Sequence, residues 1–180
     1  MHATSILIVD DDATSRIVLE RMLQSFGHGV RTADSGEAAL ESFKAALPDV
    51  VLLDIQMPGI VGYETAKRMK VIAGEQHVPI LMLTGLTDDG VLEKALQAGA
   101  DDYLSKPYKR GPLAARVEAA LRSRSLFSRL DRQHARLLEL TEQSEREQRL
   151  AQALPYWMKA RQSGHQEGSE APRWRAYARG

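Results

Sequence analysis

Val50, Val51, Leu52 and Leu53 follow one another without a polar break and lead straight into Asp54, Ile55, Gln56, Met57, Pro58 and Gly59. Four apolar residues in a row, two of them β-branched, fit a strand buried on both faces, the kind found in parallel sheets covered by helices on each side. A carboxylate at the mouth of such a strand is costly to desolvate unless something there makes use of it. In open α/β sheets ligands gather just beyond the carboxyl ends of the strands. Asp54 is expected at that edge.

The pattern recurs along the chain. Ile6, Leu7, Ile8 and Val9 form a buried-strand run closed by Asp10, Asp11 and Asp12. Asp12 can cap a helix that carries Ile17, Val18, Met22, Leu23 and Phe26 at helical spacing and ends at Gly27. Residues 30–33 make a short second strand, and Ser35 and Gly36 open a helix that stops before Pro48. After the turn at Met57, Pro58 and Gly59, a third helix is expected over about residues 62–72, and a fourth strand over 80–83 ends at Thr84. Asp88 can cap the fourth helix, Gly99 can close it, and a fifth strand over about 102–104 leads to Lys106, Pro107 and a helix entered at Pro112. Five strand–helix alternations predict a doubly wound five-stranded parallel α/β sheet in the order 2-1-3-4-5, one domain over residues 1–124.

Composition narrows the function classes. Of 24 basic and 24 acidic residues, 14 and 17 fall within residues 1–124, leaving 10 and 7 for the remainder. Neither part has the strong positive bias of a nucleic-acid binder, and no helix-turn-helix is evident, so contact with DNA is not expected. The absence of cysteine excludes disulfides and thiolate metal sites. The N-terminus reads as neither a signal peptide nor a membrane span, which places the chain in the cytoplasm without a membrane partner.

The strand ends collect chemistry on one edge: Asp10, Asp11 and Asp12 after the first, Asp54 after the third, Thr84 after the fourth and Lys106 after the fifth. Singly each has an ordinary explanation, Lys106 as a solvated surface lysine and Asp12 as the helix cap it is taken to be. Together they are hard to assign to unrelated loops. Clustered carboxylates hold their charges only with a cation or lysine among them, and their oxygens suit Mg²⁺ better than a transition metal. A metal, an ammonium, a hydroxyl and an accessible carboxylate are the parts needed to move a phosphoryl group onto an aspartate. The five histidines have no partners at ligand spacing and read as structural or surface residues.

Asp10 and Asp11, the stretch from Leu52 through Asp54 to Pro58 and Gly59, Thr84 with Gly85, and Tyr103, Leu104, Ser105, Lys106 and Pro107 together resemble the response-regulator receiver domain of two-component signalling. The resemblance covers roughly residues 5–124 and implies a flavodoxin-like fold. It further implies that Asp54 is the phosphoacceptor, that Asp11 binds Mg²⁺ directly with Asp10 helping through water, and that Gln56 adds its backbone carbonyl to the metal. Lys106 would pair with the phosphoryl oxygens, Thr84 would swing its hydroxyl to meet them, and Tyr103 would turn inward behind it. The Lys106–Pro107 peptide is expected to be cis. The partners implied are a sensor histidine kinase or phosphotransfer protein and a downstream protein target, the chain itself catalysing only its own phosphorylation and dephosphorylation.

Two other readings compete. A free-standing phosphatase of the haloacid-dehalogenase type also uses an aspartate after a buried strand, but Gln56 stands where its second aspartate, the general acid, belongs. A flavodoxin-type cofactor module would have to set its phosphate beside three carboxylates.

Beyond Pro112 the helical pattern continues. Leu126, Leu130, Gln133, Leu137, Leu140, Ser144, Glu147, Ala151 and Leu154 alternate by four and three, six of the nine apolar, as in a coiled-coil seam. Residues 125–154 are therefore expected to form a helical extension, and a parallel homodimer is favoured over a solvated single helix. Residues 155–180, opening at Pro155, are expected to be a disordered tail. That tail nevertheless holds Tyr156, Trp157, Trp174 and Tyr177, which fits either docking on a partner or the remnant of a longer regulator that has lost a C-terminal output enzyme domain.

Overall fold

The computed structural model describes residues 4–85 and 89–162, with the backbone alone at residues 89, 92 and 151–162. The elements run β1 (Ser5–Val9), α1 (Ala13–Ser25), β2 (Gly29–Ala33), α2 (Gly36–Ala45), β3 (Val50–Asp54), α3 (Gly62–Ala73), β4 (Ile80–Thr84), α4 (Asp89–Gln97), β5 (Asp102–Ser105) and α5 (Arg110–Gln162). All four strand pairings are parallel and the sheet order is β2-β1-β3-β4-β5, as the alternation of elements predicts. One compact unit ends at Asp131 and a second begins at Arg132.

The apolar runs are continuous because successive residues point to opposite faces and both faces are covered. Leu7, Val9, Val51, Leu53, Ile80 and Met82 face a cluster with Ala39 and Phe43 of α2, Ala66 and Met69 of α3, and Ala95 of α4. Ile6, Ile8, Val50, Leu52, Leu81 and Leu83 face Leu19 and Leu23 of α1 and Leu113 and Val117 of α5. Each fully buried aliphatic side chain here contributes roughly 1.5–3 kcal/mol, and the alternation fixes the register, since a one-residue slip would exchange the two faces.

The local signals hold at most boundaries. The Asp12 carboxylate accepts from the backbone N–H groups of Thr14 and Ser15, capping α1, and these bonds, the Ser15 hydroxyl foremost, hold its carboxyl below the usual range. Gly99, at φ 91°, closes α4. The expected Asp88 cap lies outside the described residues. Most others shift by a residue or two, and the largest difference is in α5, which begins at Arg110 rather than Pro112 and continues through Pro155 to Gln162 instead of ending at Leu154. Proline removes one helical N–H, but the neighbouring Ala, Leu, Gln, Met and Lys residues are good helix formers, so the turn on either side persists. Residues 163–180, with Trp174 and Tyr177, are outside the described residues.

Gly62 is required where α3 starts against the end of β3. A Cβ at this position would lie 2.2 Å from the Asp54 carbonyl oxygen and 2.8 Å from Ile55 Cα, both backbone atoms. Gly62→Ala should therefore lower stability by about 3 kcal/mol, the upper range for overpacking, read as a fall in Tm of about 10 °C. An unchanged Tm would show that the two segments separate easily.

At the amino edge of the sheet α5 is tied down by side chains. Arg124 donates from Nε to Asp49 Oδ1 at 2.9 Å and from Nη1 to the His77 carbonyl at 2.8 Å. The other Asp49 oxygen accepts from the Ser5 N–H. The His77 ring lies 3.1 Å from Ser123 Oγ, and its centroid is 4.1 Å from that of Phe127. Within the long helix, Leu126, Leu130, Leu137 and Leu140 of the expected seam are each more than half exposed.

Candidate functional site

Parallel register brings the strand ends level. Val9 pairs with Leu53, Asp54 with Leu83, and Thr84 with Ser105, so the residues that follow β1, end β3 and β4, and follow β5 meet at one edge. Asp10 and Asp54 are buried there, Asp11 is exposed, and an oxygen from each of the three lies within 4.8 Å of the others.

Lys106 enters from the far side of the sheet. Its Nζ donates to Asp54 Oδ2 at 2.6 Å and to Asp10 Oδ2 at 3.0 Å, so one ammonium serves two carboxylates. The Lys106 N–H is bonded to the Thr84 carbonyl at 2.8 Å, and the Lys106–Pro107 peptide is cis, as expected. Asp10 Oδ1 accepts from the Asp12 N–H, and Asp54 Oδ1 from the Gln56 N–H at 3.2 Å. Burial raises the Asp54 carboxyl above its usual range, and the hydrogen bond and charge of Lys106 oppose this without cancelling it. Burial pulls Lys106 down, but its hydrogen bonds to Asp54 and Asp10 outweigh that, so it is shifted up and stays an ammonium.

Thr84 is buried at the end of β4. Tyr103 is half-buried against the α2–α4 side of the core, and the Arg116 guanidinium lies 5.2 Å from its ring centroid while pairing with Asp102. The Gln56 side chain is exposed.

Two residues not singled out in the sequence also belong to this edge. The Tyr108 hydroxyl lies 3.5 Å from Asp10 Oδ2, and burial, then the charges of Asp10 and Asp54, shift it upward, keeping it a neutral phenol. Arg16 donates from Nη1 to the carbonyls of Asp10 at 2.6 Å and Asp11 at 3.0 Å. Tyr108 follows the cis proline directly and its place after Lys106 and Pro107 was the available clue. Arg16 carried no such signal, because an arginine in the second turn of a capped helix resembles any solvated one.

The donor set fits Mg²⁺: three carboxylates, two buried, offer hard oxygens at one point, and the single lysine leaves their charge incompletely offset. Asp10, Asp11 and Asp54 are the residues that would hold the ion.

A doubly wound sheet in the 2-1-3-4-5 order with this acidic, lysine-bridged edge places the chain in the flavodoxin-like class. The chemotaxis protein CheY4 of Vibrio cholerae is similar over 66% of this chain and 99% of its own, with a TM-score of 0.64 and 31% identity. A putative response regulator from Chloroflexus aurantiacus is similar over 66% of this chain and 98% of its own, with a TM-score of 0.61 and 41% identity. The chain belongs to the response regulator receiver domain family, whose model matches residues 6–118. A probable transcriptional regulator, ycf27, of Guillardia theta is 44% identical over 117 residues, 65% of this chain and 45% of that protein. The chain thus spans about half the length of the curated relatives it matches. No helix among the described residues is long and apolar enough to cross a membrane.

Proposed function

We propose that the chain is a response regulator that takes a phosphoryl group onto Asp54 from a sensor histidine kinase or phosphotransfer protein and signals through protein contacts or altered dimerisation. The observation that carries this reading is Lys106 Nζ held between Asp54 and Asp10 at the carboxyl edge. An Asp54 oxygen attacks phosphorus, the O–P bond forms as the bond from phosphorus to the donor's leaving atom breaks, and the donor keeps that electron pair. Lys106 gives up one of its carboxylate bonds to pair with the arriving phosphoryl oxygens. The Thr84 hydroxyl, buried at the neighbouring strand end, turns toward the same oxygens, and Tyr103 moves inward after it. When bound by Asp10, Asp11, Asp54 and the Gln56 carbonyl, Mg²⁺ offsets the charge on the transferring group. The site serves only the protein's own phosphorylation and dephosphorylation.

A second reading starts from the relatives. The ycf27 protein is named a probable transcriptional regulator, and its matched stretch is less than half its length. In that reading the receiver governs a DNA-binding output. The exposed leucine row of α5 supports the first reading, in which the described residues signal through protein contact. A cytoplasmic place follows from both.

The test is stoichiometry. With Mg²⁺ and radiolabelled acetyl phosphate, the full chain should retain up to one acid-stable, hydroxylamine-labile phosphoryl group. Rapid release of many phosphates per chain with none retained would favour the free-standing phosphatase.

A further inference from the structure

The three carbonyls that lead from β1 into α1 all end on one residue. Arg16 N–H bonds the Asp12 carbonyl at 3.1 Å, as the first turn of α1 requires, while Arg16 Nη1 bonds the Asp10 carbonyl at 2.6 Å and the Asp11 carbonyl at 3.0 Å. A single half-buried arginine therefore fixes the peptide planes on both sides of Asp11. Asp10 has its own anchors: its carboxylate is buried and takes bonds from the Asp12 N–H and from Lys106. Asp11 has none. Its side chain is exposed, and its carboxylate makes no hydrogen bond among the described residues, so its direction depends on the backbone that carries it.

We infer that Arg16 is a positioning residue for the divalent-cation site, holding the loop of Asp10 and Asp11 so that the exposed Asp11 carboxylate faces Asp10 and Asp54. This rests on the function proposed above. Arg16 touches neither the reacting carboxylate nor any carboxylate oxygen of the cluster. Its effect on Mg²⁺ has two parts of opposite sign. Its positive charge opposes a second cation nearby, whereas its two bonds remove loop motions that would cost entropy on binding. Lysine separates them. It keeps the charge, but its ammonium ends one bond short of the guanidinium nitrogen and is more strongly hydrated, so it does not reach both carbonyls.

The experiment measures Mg²⁺ binding to the full chain by calorimetry, together with the Mg²⁺ dependence of labelling by acetyl phosphate. Arg16→Lys should weaken Mg²⁺ binding by about tenfold, the lower range for groups that orient metal ligands. Arg16→Ala should weaken it less, since losing the positive charge offsets part of the loss. In both variants the Mg²⁺ concentration for half-maximal labelling should rise, with the rate recovering at saturating Mg²⁺. A merely structural role would lower Tm without moving that half-saturation point. If Arg16→Lys bound Mg²⁺ as the wild type does, or its labelling stayed slow at saturating Mg²⁺, the positioning role would be wrong. If the wild type itself bound no Mg²⁺, the proposed function would fail first.

Discussion

Asp54→Asn is expected to reduce Mg²⁺-dependent labelling by acetyl phosphate to background, because a carboxamide is not a nucleophile and no other described carboxylate has the same surroundings. Asp10 is the nearest rival. Its oxygens are taken by the Asp12 N–H, Lys106 and, at longer range, the Tyr108 hydroxyl. The variant should fold normally. Burial disfavours the charged form of Asp54, so a neutral side chain of the same shape relieves a cost, and Lys106 keeps its bond to Asp10. Intact thermal unfolding with lost labelling would separate chemistry from folding. Lys106→Ala is the useful contrast: some labelling should survive, since the lysine is not itself attacked, but the change in shape that follows should not. Undiminished labelling of the Asp54→Asn chain at another residue would sink the assignment.

The second large effect is expected in the helical extension. If the leucine seam pairs two chains in parallel, Leu130→Asp combined with Leu137→Asp should give a monomer that still takes label from acetyl phosphate. Both leucines are exposed within the chain, and a parallel pair would bury them against their copies, two carboxylates from each chain then entering the seam. The penalty of roughly 3 kcal/mol or more weakens association by over a hundredfold. Ser144 and Glu147 occupy later seam positions, so the first half of the row should contribute most of the pairing. Sedimentation of wild type, variant and a beryllofluoride-treated sample measures it. A wild-type monomer in both states would make the leucine row a docking arm for another protein.

Much of this was legible because it is written in contiguous runs. Residues 6–9, 50–53 and 80–83 are apolar without interruption, which only two-sided burial explains, and each is followed by the residue that reaches the functional edge. Strand order followed from the alternation with helices, and the Lys106–Pro107 geometry from the resemblance. What was not legible depends on side-chain reach across the fold. Arg16 folds back over its own helix start, Tyr108 crosses 98 positions of sequence to Asp10, and Arg124 crosses 75 to Asp49. Arg16 and Arg124 leave no periodicity or local motif, and Tyr108 has only its place after Lys106 and Pro107 to mark it. The end of the long helix differs for another reason: Pro155 reads as a stop in the sequence, whereas strong helix formers on both sides carry the backbone past it to Gln162.

The ties on α5 give that helix a mechanical character. It begins four residues after Lys106, at the edge where the carboxylates meet, and at the opposite edge Arg124 clamps it to the starts of β3 and β4. Those two points are about 21 Å apart along the axis at 1.5 Å per residue, with Leu113 and Val117 sunk into the core between them. A helix clamped at Arg124 and gripped by Leu113 and Val117 in the core does not slide along its axis. Were Lys106 drawn toward a new charge, as proposed, these ties would leave the stretch of α5 between Arg110 and Arg124 little freedom but a slight tilt, so that a signal arriving at one edge of the sheet would be felt as torque on the Arg124 clamp at the other.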